Sequence, residues 1–344
     1  MRKCVLLLFF AGLLIALQGI LGGCSSKKPG YGSEDLIIAL ADSVEWEALR
    51  PAVSAALERQ VYTPQPESLL RVRWVPPEKW GAFKRYHSFL VIGTLSGSPV
   101  MQQLFKSMLS PTDMRRVEQD SSFLFKKDNP WAFDQLLLVV VANDTATLTR
   151  RMQENADRLY GLMLAHVREV MTKQMFGKHE QKALSEELLR KYGWAVRIQH
   201  DYHPLEKPGD RIVWLRRIPP ERWFLVHWEE SDDPSQLTPE WCLKKRQWIG
   251  ESFYTGERIV DGYTKWEWVD FDGRRAIEMW GLWEDSVKVV GGPFHVYAFY
   301  DHGSARLFLI DMACFAPGER KMPYMRQMDV MARTFRTRQK GMGG

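Results

Sequence analysis

The sequence contains 344 residues, of which 45% are hydrophobic and 26% are charged, enough for one large domain or two modest ones. Its formal net charge is +5, and two of the positive charges belong to Arg2 and Lys3 at the extreme N-terminus. The remaining net charge of about +3 is too small to indicate a nucleic-acid-binding protein.

Residues 1–23 have the pattern of a signal peptide. Arg2 and Lys3 precede an apolar run over 5–20, which is shorter than the roughly 20 apolar residues of a bilayer span. The next residues, Leu21-Gly22-Gly23-Cys24, resemble the lipobox of bacterial lipoproteins, in which the cysteine is acylated. We predict cleavage before Cys24 and attachment of lipid, palmitate included, to that residue. The alternatives are an ordinary signal peptide and an uncleaved anchor with a chance cysteine.

Residues 24–34 are small, polar and rich in glycine and proline, which predicts a flexible, lipidated tether. No aspartate follows Cys24, although this residue retains many lipoproteins in the inner membrane. An acidic run of the kind found on many surface-exported lipoproteins is also missing here. By this analogy we expect a protein anchored stably in the outer membrane by its acyl chains and facing the periplasm.

Residues 35–176 form the first predicted unit, in which strands and helices alternate. Asp42 and Glu45 have the spacing of a capping box at the start of a helix, and Ser98-Pro99 is typical of another helix start. Helices are therefore predicted from about 43 to 59, from 99 onward and from about 145 to 175. Strands are predicted at 36–41, 69–75, 88–95, 123–125 and 136–141.

Residues 177–336 form the second predicted unit. Gly193 ends its first helix, and Thr238-Pro239 starts the next. The dipeptides Asp261-Gly262 and Asp272-Gly273 predict hairpin turns. The remaining predictions are a helix at 180–191, strands at 195–199, 211–218 and 223–228, a meander over 258–283, strands at 294–300 and 307–315, a closing helix at 323–335, and a basic tail at 337–344.

Two six-residue phrases suggest a repeat. Val75-Pro-Pro-Glu-Lys-Trp80 and Ile218-Pro-Pro-Glu-Arg-Trp223 match at every position if Val/Ile and Lys/Arg exchanges are allowed. We interpret them as an internal duplication and predict an α+β fold of two pseudo-repeated units, each a mostly antiparallel sheet with helices packed on one face. The alternatives are a recurring strand-to-strand turn and a single fused sheet.

Several phrases of the second unit resemble a domain-of-unknown-function family of Bacteroidetes lipoproteins. They are Leu237-Thr-Pro-Glu-Trp241, Gly291-Gly-Pro-Phe294 with Tyr297 and Asp301, and Asp311 followed by Phe315-Ala-Pro-Gly318. The resemblance covers essentially the whole chain after Cys24 and implies a lipoprotein of this architecture. It implies no activity, ligand or catalytic residue.

The residues with catalytic potential form no familiar catalytic motif. The eight histidines lack metal-ligand spacing, and Cys242 has no base near it in sequence. Asp311 lies in an apolar run, and His295 on the neighbouring strand of the predicted hairpin could reach it. A structural pair is the simpler interpretation and a catalytic pair the alternative. Cys242 and Cys314 form either a disulfide or two buried free thiols.

Tryptophan is concentrated in one part of the chain, since ten of the fourteen residues fall between Trp194 and Trp283. Trp266, Trp268 and Trp280 lie in the predicted meander, where exposed indoles would suit sugar rings or a partner protein. A hairpin at Asp272-Gly273 would place Trp266 opposite Met279 and Trp268 opposite Ile277, with Trp280 on the other face. We expect Trp266 and Trp268 to be largely core, with glycan binding as the alternative.

The function that these observations favour is a lipid-anchored periplasmic protein that binds or assembles another envelope component without catalysis. The expected partners are the membrane, through the lipid at Cys24, and an envelope protein or glycan, with no nucleic acid, metal or cofactor. The candidate residues for a ligand or partner face are Trp266, Trp268, Trp280, Asp311 and His295. The alternatives are a glycan-binding module and a hydrolase-like enzyme built on Asp311 and His295.

Overall fold

The structure, a computed structural model, describes residues 27–254 and 256–338. The predicted signal peptide, Cys24 and most of the basic tail lie outside the described residues. Within them, no helix is both long enough and apolar enough to cross a bilayer. The predicted tether is shortened, because the N–H groups of Gly30 and Tyr31 donate to the carbonyls of Phe133 and Arg85, each at 2.9 Å.

The first half builds a five-stranded sheet with strand order β4-β1-β5-β7-β6, and a separate hairpin, β2-β3, lies outside it. Its elements, in chain order, are β1 (Leu36–Leu40), α1 (Ser43–Leu57), β2 (Gln60–Tyr62), β3 (Pro66–Ser68), β4 (Arg71–Val75), α2 (Trp80–Phe83), β5 (Ser88–Thr94), α3 (Pro99–Met108), α4 (Pro111–Glu118), β6 (Leu124–Asp128), β7 (Leu136–Ala142), α5 (Thr145–Glu154) and α6 (Ala156–Phe176).

This first sheet is mostly parallel, which corrects the predicted antiparallel arrangement. The pairs β1–β4, β1–β5 and β5–β7 are parallel, and β6–β7 is antiparallel. Every residue of β5 and β7 is buried, since helices cover both faces. Helices α1, α5 and α6 pack on one face, and α3 and α4 pack on the other. The strands therefore lack the alternation of a half-exposed antiparallel sheet.

The second half builds an eight-stranded antiparallel sheet with the order β12-β14-β15-β16-β11-β10-β9, and β13 also pairs with β14. Its elements are α7 (Lys182–Tyr192), β8 (Trp194–Ala195), β9 (His203–Lys207), β10 (Ile212–Arg217), β11 (Glu221–Glu230), α8 (Pro239–Phe253), β12 (Arg258–Ile259), β13 (Lys265–Phe271), β14 (Arg274–Asp285), β15 (Val290–Asp301), β16 (Arg306–Phe315), α9 (Met322–Ala332) and β17 (Arg336–Thr337).

Three local signals in this half behave as predicted, whereas Asp261-Gly262 forms a turn without the predicted hairpin, because β12 and β13 both pair with β14. Gly193 takes a positive φ of 78° after α7, and the Thr238 side chain accepts a hydrogen bond from the Trp241 N–H at the start of α8. The hairpin at Asp272-Gly273 pairs Phe271 with Arg274, as expected for a two-residue loop.

Two local signals of the first half have a different outcome. Asp42 does not cap α1, because its carboxylate accepts hydrogen bonds from the N–H and hydroxyl of Ser98, each at 2.6 Å. Glu45 likewise accepts from Thr94, so the predicted capping box is replaced by links to the loop after β5. The predicted long helix is interrupted at Asn155, which separates α5 from α6.

The α+β class is confirmed, while the predicted duplication and one-sided helix packing are wrong. The first Pro-Pro-Glu phrase leads from β4 into the 3₁₀ turn Pro77–Lys79 and α2, and the second forms the connection between the antiparallel strands β10 and β11. The second sheet also carries helices on both faces, α9 on one and α8 on the other. The two phrases therefore mark different structures in two different sheets.

One hydrophobic core joins the halves. Residues of α1, α5 and α6 share a continuous buried cluster with β15, β16 and α9. Arg168 of α6 forms an ion pair with Asp329 of α9, with Nε and Oδ2 3.0 Å apart. The buried Asp35 pairs with Arg326 of α9 at 3.2 Å. These contacts fix the position of the first half on one face of the second sheet.

The two cysteines are free and buried, so the free-thiol alternative is the one found. Cys242 lies in the core between the sheet and α8, whereas Cys314 lies in the core shared with the first half. The second sheet separates them, and no disulfide can form without unfolding it.

Candidate ligand-binding site

A cavity of about 330 Å³ lies where the two halves meet. Its walls are α6 from the first half, α9, and the face of the second sheet formed by β13, β14 and β15. Most of the lining is apolar, with side chains such as Leu164, Val167, Met171 and Met325, and charged groups occupy part of the wall. This size and this lining are typical of sites for small ligands.

The sheet wall follows from strand periodicity. Lys265 and Glu267 alternate along β13, and Glu278 and Trp280 alternate along β14, so each pair projects to one face. Trp280 is paired with His295 on the next strand and with Lys265 on the other side. All five residues line the cavity.

Glu278 is the main hydrogen-bond acceptor of this wall. Its Oε1 lies 2.8 Å from His295 Nε2 and accepts from the Tyr297 hydroxyl at 2.9 Å and from the Trp280 indole N–H at 3.3 Å. Burial acts to raise the pKa of Glu278, but the hydrogen bond and charge of His295 outweigh it, and the pKa is lowered. Glu278 therefore stays ionised at neutral pH.

The Trp280 indole stacks on the His295 imidazole. Their ring centroids are 3.7 Å apart and their planes differ by 13°. His295 is buried and Trp280 is partly exposed. The stack and the hydrogen bond to Glu278 together hold the indole in one orientation at the cavity wall.

Asp329 extends this network onto α9. It pairs with Arg168 at 3.0 Å and with Arg333 at 3.1 Å, and it lies 2.8 Å from the Tyr297 hydroxyl. Burial alone would raise the pKa of Asp329, but the charges of the two arginines lower it to about 2. Tyr297 lies between the carboxylates of Glu278 and Asp329, and its single proton can be donated to only one of them at a time.

The cavity wall presents groups that a bound ligand would contact. Glu278 and His295 could exchange a proton, but their partners are neighbouring side chains of the same network. The described residues contain no group of three or more His, Cys, Asp or Glu side chains placed to hold a metal ion. What the cavity offers a ligand is an oriented indole beside an ionised carboxylate, surrounded by apolar side chains.

The predicted contact between His295 and Asp311 does not occur. Asp311 is paired with Val296 in the sheet register, so its side chain leaves the opposite face from that of His295. It lies fully buried under α8, where its Oδ1 is 2.9 Å from Arg246 Nε. The hypothesis of a catalytic pair therefore fails on strand alternation alone.

The predicted positions of Trp266 and Trp268 opposite Met279 and Ile277 are confirmed, but their burial is not. Trp266 is 50% exposed and Trp268 is 38% exposed. Because β13 is an edge strand, its side chains have a neighbouring strand on one side only. Trp280 leaves the opposite face and lines the cavity, so the three indoles do not form one aromatic row.

Sequence reasoning missed Arg168, Glu278 and Asp329. Each interrupts an apolar pattern, with Arg168 directly after Val167, Glu278 between Ile277 and Met279, and Asp329 between Met328 and Val330. A charge within an apolar pattern was the available signal, since a buried charge needs a partner. The sequence does not reveal that all three share one partner network.

Two family models match the chain. Residues 31–176 match the domain of unknown function DUF8532, and residues 181–334 match the domain of unknown function DUF4837. None of the curated proteins compared with the chain matches it.

Two solved structures are similar to part of the chain. A crystal structure from Bacteroides thetaiotaomicron shares 8% identity and a TM-score of 0.29, and the match covers 43% of this chain and 46% of that one. A mutant of the protein Mog1 shares 11% identity and a TM-score of 0.27, over 43% of this chain and 92% of that one. The chain thus spans about half the length of the first of these proteins. The two family matches lie side by side along the chain, with the DUF8532 match in the first half and the DUF4837 match in the second.

Proposed function

We propose that this protein is a lipid-anchored envelope protein that binds a small glycan fragment in the cavity between its halves, without converting it. The observation that carries the proposal is the position of Trp280 beside Glu278 in that cavity. A fixed indole offers a flat apolar face to a sugar ring, and an ionised carboxylate accepts hydrogen bonds from its hydroxyl groups. The cavity volume of about 330 Å³ suits one or two sugar rings.

The location is part of the proposal. The basic n-region, the apolar run and Leu21-Gly22-Gly23-Cys24 support acylation of Cys24, and the resemblance to Bacteroidetes lipoproteins points the same way. We propose anchoring in the outer membrane with the domains in the periplasm, where peptidoglycan is the abundant glycan.

Labelling with a fatty-acid analogue tests the anchor. Cys24→Ser should abolish both the label and the recovery of the protein with membranes. A Cys24→Ser chain that keeps the label would contradict the anchor.

The glycan site is tested by titrating the protein with soluble peptidoglycan fragments by calorimetry. We expect saturable binding that Trp280→Ala abolishes and Glu278→Gln weakens at least tenfold. Trp266→Ala is the matched control, since this indole is exposed on the opposite face of the same sheet. Glu267→Ala is a second wall variant at an exposed position, expected to weaken binding without affecting folding.

Different outcomes would contradict the position of the site and the choice of a glycan as the ligand. Loss of binding in Trp266→Ala with normal binding in Trp280→Ala would move the site to the edge strand and overturn the cavity. Absence of any glycan binding by a folded protein would overturn the proposed function.

A further inference from the structure

A second cavity, of about 240 Å³, lies on the other face of the second sheet. It is bounded by β10, β11, β14 and the start of β15, and by the end of α8 with the segment that follows it. The sheet separates it from the cavity between the halves. Its wall contains three of the tryptophans that are concentrated in the second half, namely Trp214, Trp223 and Trp283.

The aromatic rings form a continuous wall. Trp223 meets Trp283 edge to face, with centroids 5.4 Å apart and an interplanar angle of 83°. Tyr254 lies against Trp214 at 5.1 Å and against Trp223 at 5.7 Å. The wall already attracts cations, since the guanidinium of Arg216 lies 5.9 Å from the Trp214 ring centroid and that of Arg246 lies 5.5 Å from the Tyr254 centroid.

A buried carboxyl group, Glu257, lies in the same wall and is 3% exposed. The cation nearest to it is Arg246, whose Nη2 lies 3.5 Å from Glu257 Oε2. Arg246 is also the partner of Asp311, with its Nε 2.9 Å from Asp311 Oδ1. Two buried carboxyl groups thus share one guanidinium, and the cluster lacks one positive charge if both are ionised.

The charge shortage shows in the ionisation of Glu257. Burial raises the pKa of Glu257 to about 8, with Arg246 opposing and Asp311 adding to the rise. At neutral pH the group therefore holds a proton in the empty protein for most of the time. A ligand with a permanent positive charge could take the place of that proton.

The edge of the cavity supplies no net charge of its own. Arg216 pairs with Glu221, and Lys288 pairs with Asp285 at 3.0 Å. Among the residues that the structure describes, the indole N–H groups of Trp214 and Trp283 are buried without a hydrogen-bond partner. A buried indole N–H without an acceptor is energetically costly, and a ligand oxygen that reached it would relieve that cost.

We propose that this second cavity binds a compact organic cation that also carries an oxygen acceptor, with the cation against the aromatic wall and Glu257. The proposal is independent of glycan binding, since the two cavities share no lining residue and lie on opposite faces of one sheet. Choline is the simplest probe, because it combines a quaternary ammonium group with one hydroxyl oxygen.

The charge requirement is tested with a neutral probe of the same shape. We expect choline to bind saturably in calorimetry, and 3,3-dimethyl-1-butanol, in which carbon replaces the nitrogen, to bind at least tenfold more weakly. Equal binding of the two would show an apolar pocket without cation recognition and would overturn the proposal. Failure of choline to bind at millimolar concentration would overturn it as well.

The role of Glu257 is tested by pH. Choline keeps its charge at every pH, so its affinity should rise at least tenfold between pH 6 and pH 9 as Glu257 loses its proton. Glu257→Gln should remove this rise and lower the affinity at pH 9 at least tenfold. The other charged or titratable groups packed around Glu257 and this cavity are Arg246, Asp311, Tyr254, Glu221, Arg216, Asp285 and Lys288.

Two controls keep the result interpretable. Glu47→Gln, at an exposed position of α1 that lines neither cavity, should leave choline binding and its pH dependence unchanged. Trp283→Phe keeps an aromatic ring but removes the indole N–H, and it should weaken choline binding less than Glu257→Gln does. A pH dependence that persists in a folded Glu257→Gln protein would contradict the assignment to Glu257.

Discussion

Arg168 and Asp329 form an ion pair across the boundary between the two halves, with Nε and Oδ2 3.0 Å apart. The Asp329 carboxylate also pairs with Arg333, and the Asp329 side chain is almost completely buried. Breaking such a pair leaves cations without their counter-charge, which is costly away from water. The network that positions Glu278 thus depends on a contact between chain segments about 160 residues apart.

Asp329→Asn should lower the free energy of unfolding by about 3 kcal/mol at pH 7, as measured by urea denaturation. The pKa of Asp329 is lowered from 3.8 to about 2 in the folded protein, so its ionised form stabilises the fold above pH 4. That contribution should decline as pH falls from 4 towards 2, and the difference between variant and wild type should shrink with it. Asp232→Asn, at an exposed position, should change stability little; an equal loss in both variants would contradict the prediction.

The two halves should unfold in one transition, because a single core cluster contains residues of both. Circular dichroism follows the whole chain, and tryptophan fluorescence reports mainly the second half, which holds ten of the fourteen tryptophans. We expect the two urea midpoints to coincide. Separate midpoints would show that the halves are independent units.

Gly292→Ala should lower the free energy of unfolding by at least about 1 kcal/mol, because the added methyl group overpacks this site. A methyl group at this position would overlap the carbonyl oxygen of Cys314 and approach Trp283 Nε1 to 3.0 Å. Gly161→Ala is the matched control, since nothing lies within 4 Å of the added carbon and alanine favours a helix. Thermal or urea unfolding of both variants checks the contrast, and equal stability of the two would contradict it.

Trp194→Ala should lower the free energy of unfolding by about 3–5 kcal/mol, because this indole is fully buried against Trp228 and Phe335. Trp266→Ala should change it by less than about 1 kcal/mol, because half of this side chain is exposed. Urea denaturation gives both values. A large loss of unfolding free energy in Trp266→Ala would contradict the exposed position and support the core position expected from the sequence.

Neither Cys242 nor Cys314 should react with a thiol reagent in the folded protein. Burial raises the pKa of Cys314 to about 12 and raises that of Cys242 well above its ordinary value, so the reactive thiolate is scarce. In a chain with Cys4 and Cys24 replaced by serine, we expect no reaction before unfolding and two reactive thiols after it. Loss of both thiols after mild oxidation of the folded protein would instead indicate a disulfide.

The sequence determined the features that depend on residues close together in the chain. Gly193 ends a helix because its positive φ costs glycine little, and Thr238 starts one because its hydroxyl reaches an N–H three residues on. The Asp272-Gly273 turn likewise set the register of Trp266 and Trp268, since a two-residue loop fixes which residues pair. The α+β class follows from the number and length of such elements.

The tertiary structure alone decided which strands pair, which faces are covered and which distant charges meet. The sequence of Leu36–Leu40 does not indicate that this strand pairs in parallel with Arg71–Val75. His295 and Asp311 lie on opposite faces because the register pairs Asp311 with Val296, and that register is a property of the assembled sheet. The identical Pro-Pro-Glu phrases suit a hairpin in one sheet and a helix start beside another. Side-chain burial and ion pairing are settled by contacts between segments far apart in the chain, and their free energies arise only once those segments pack together.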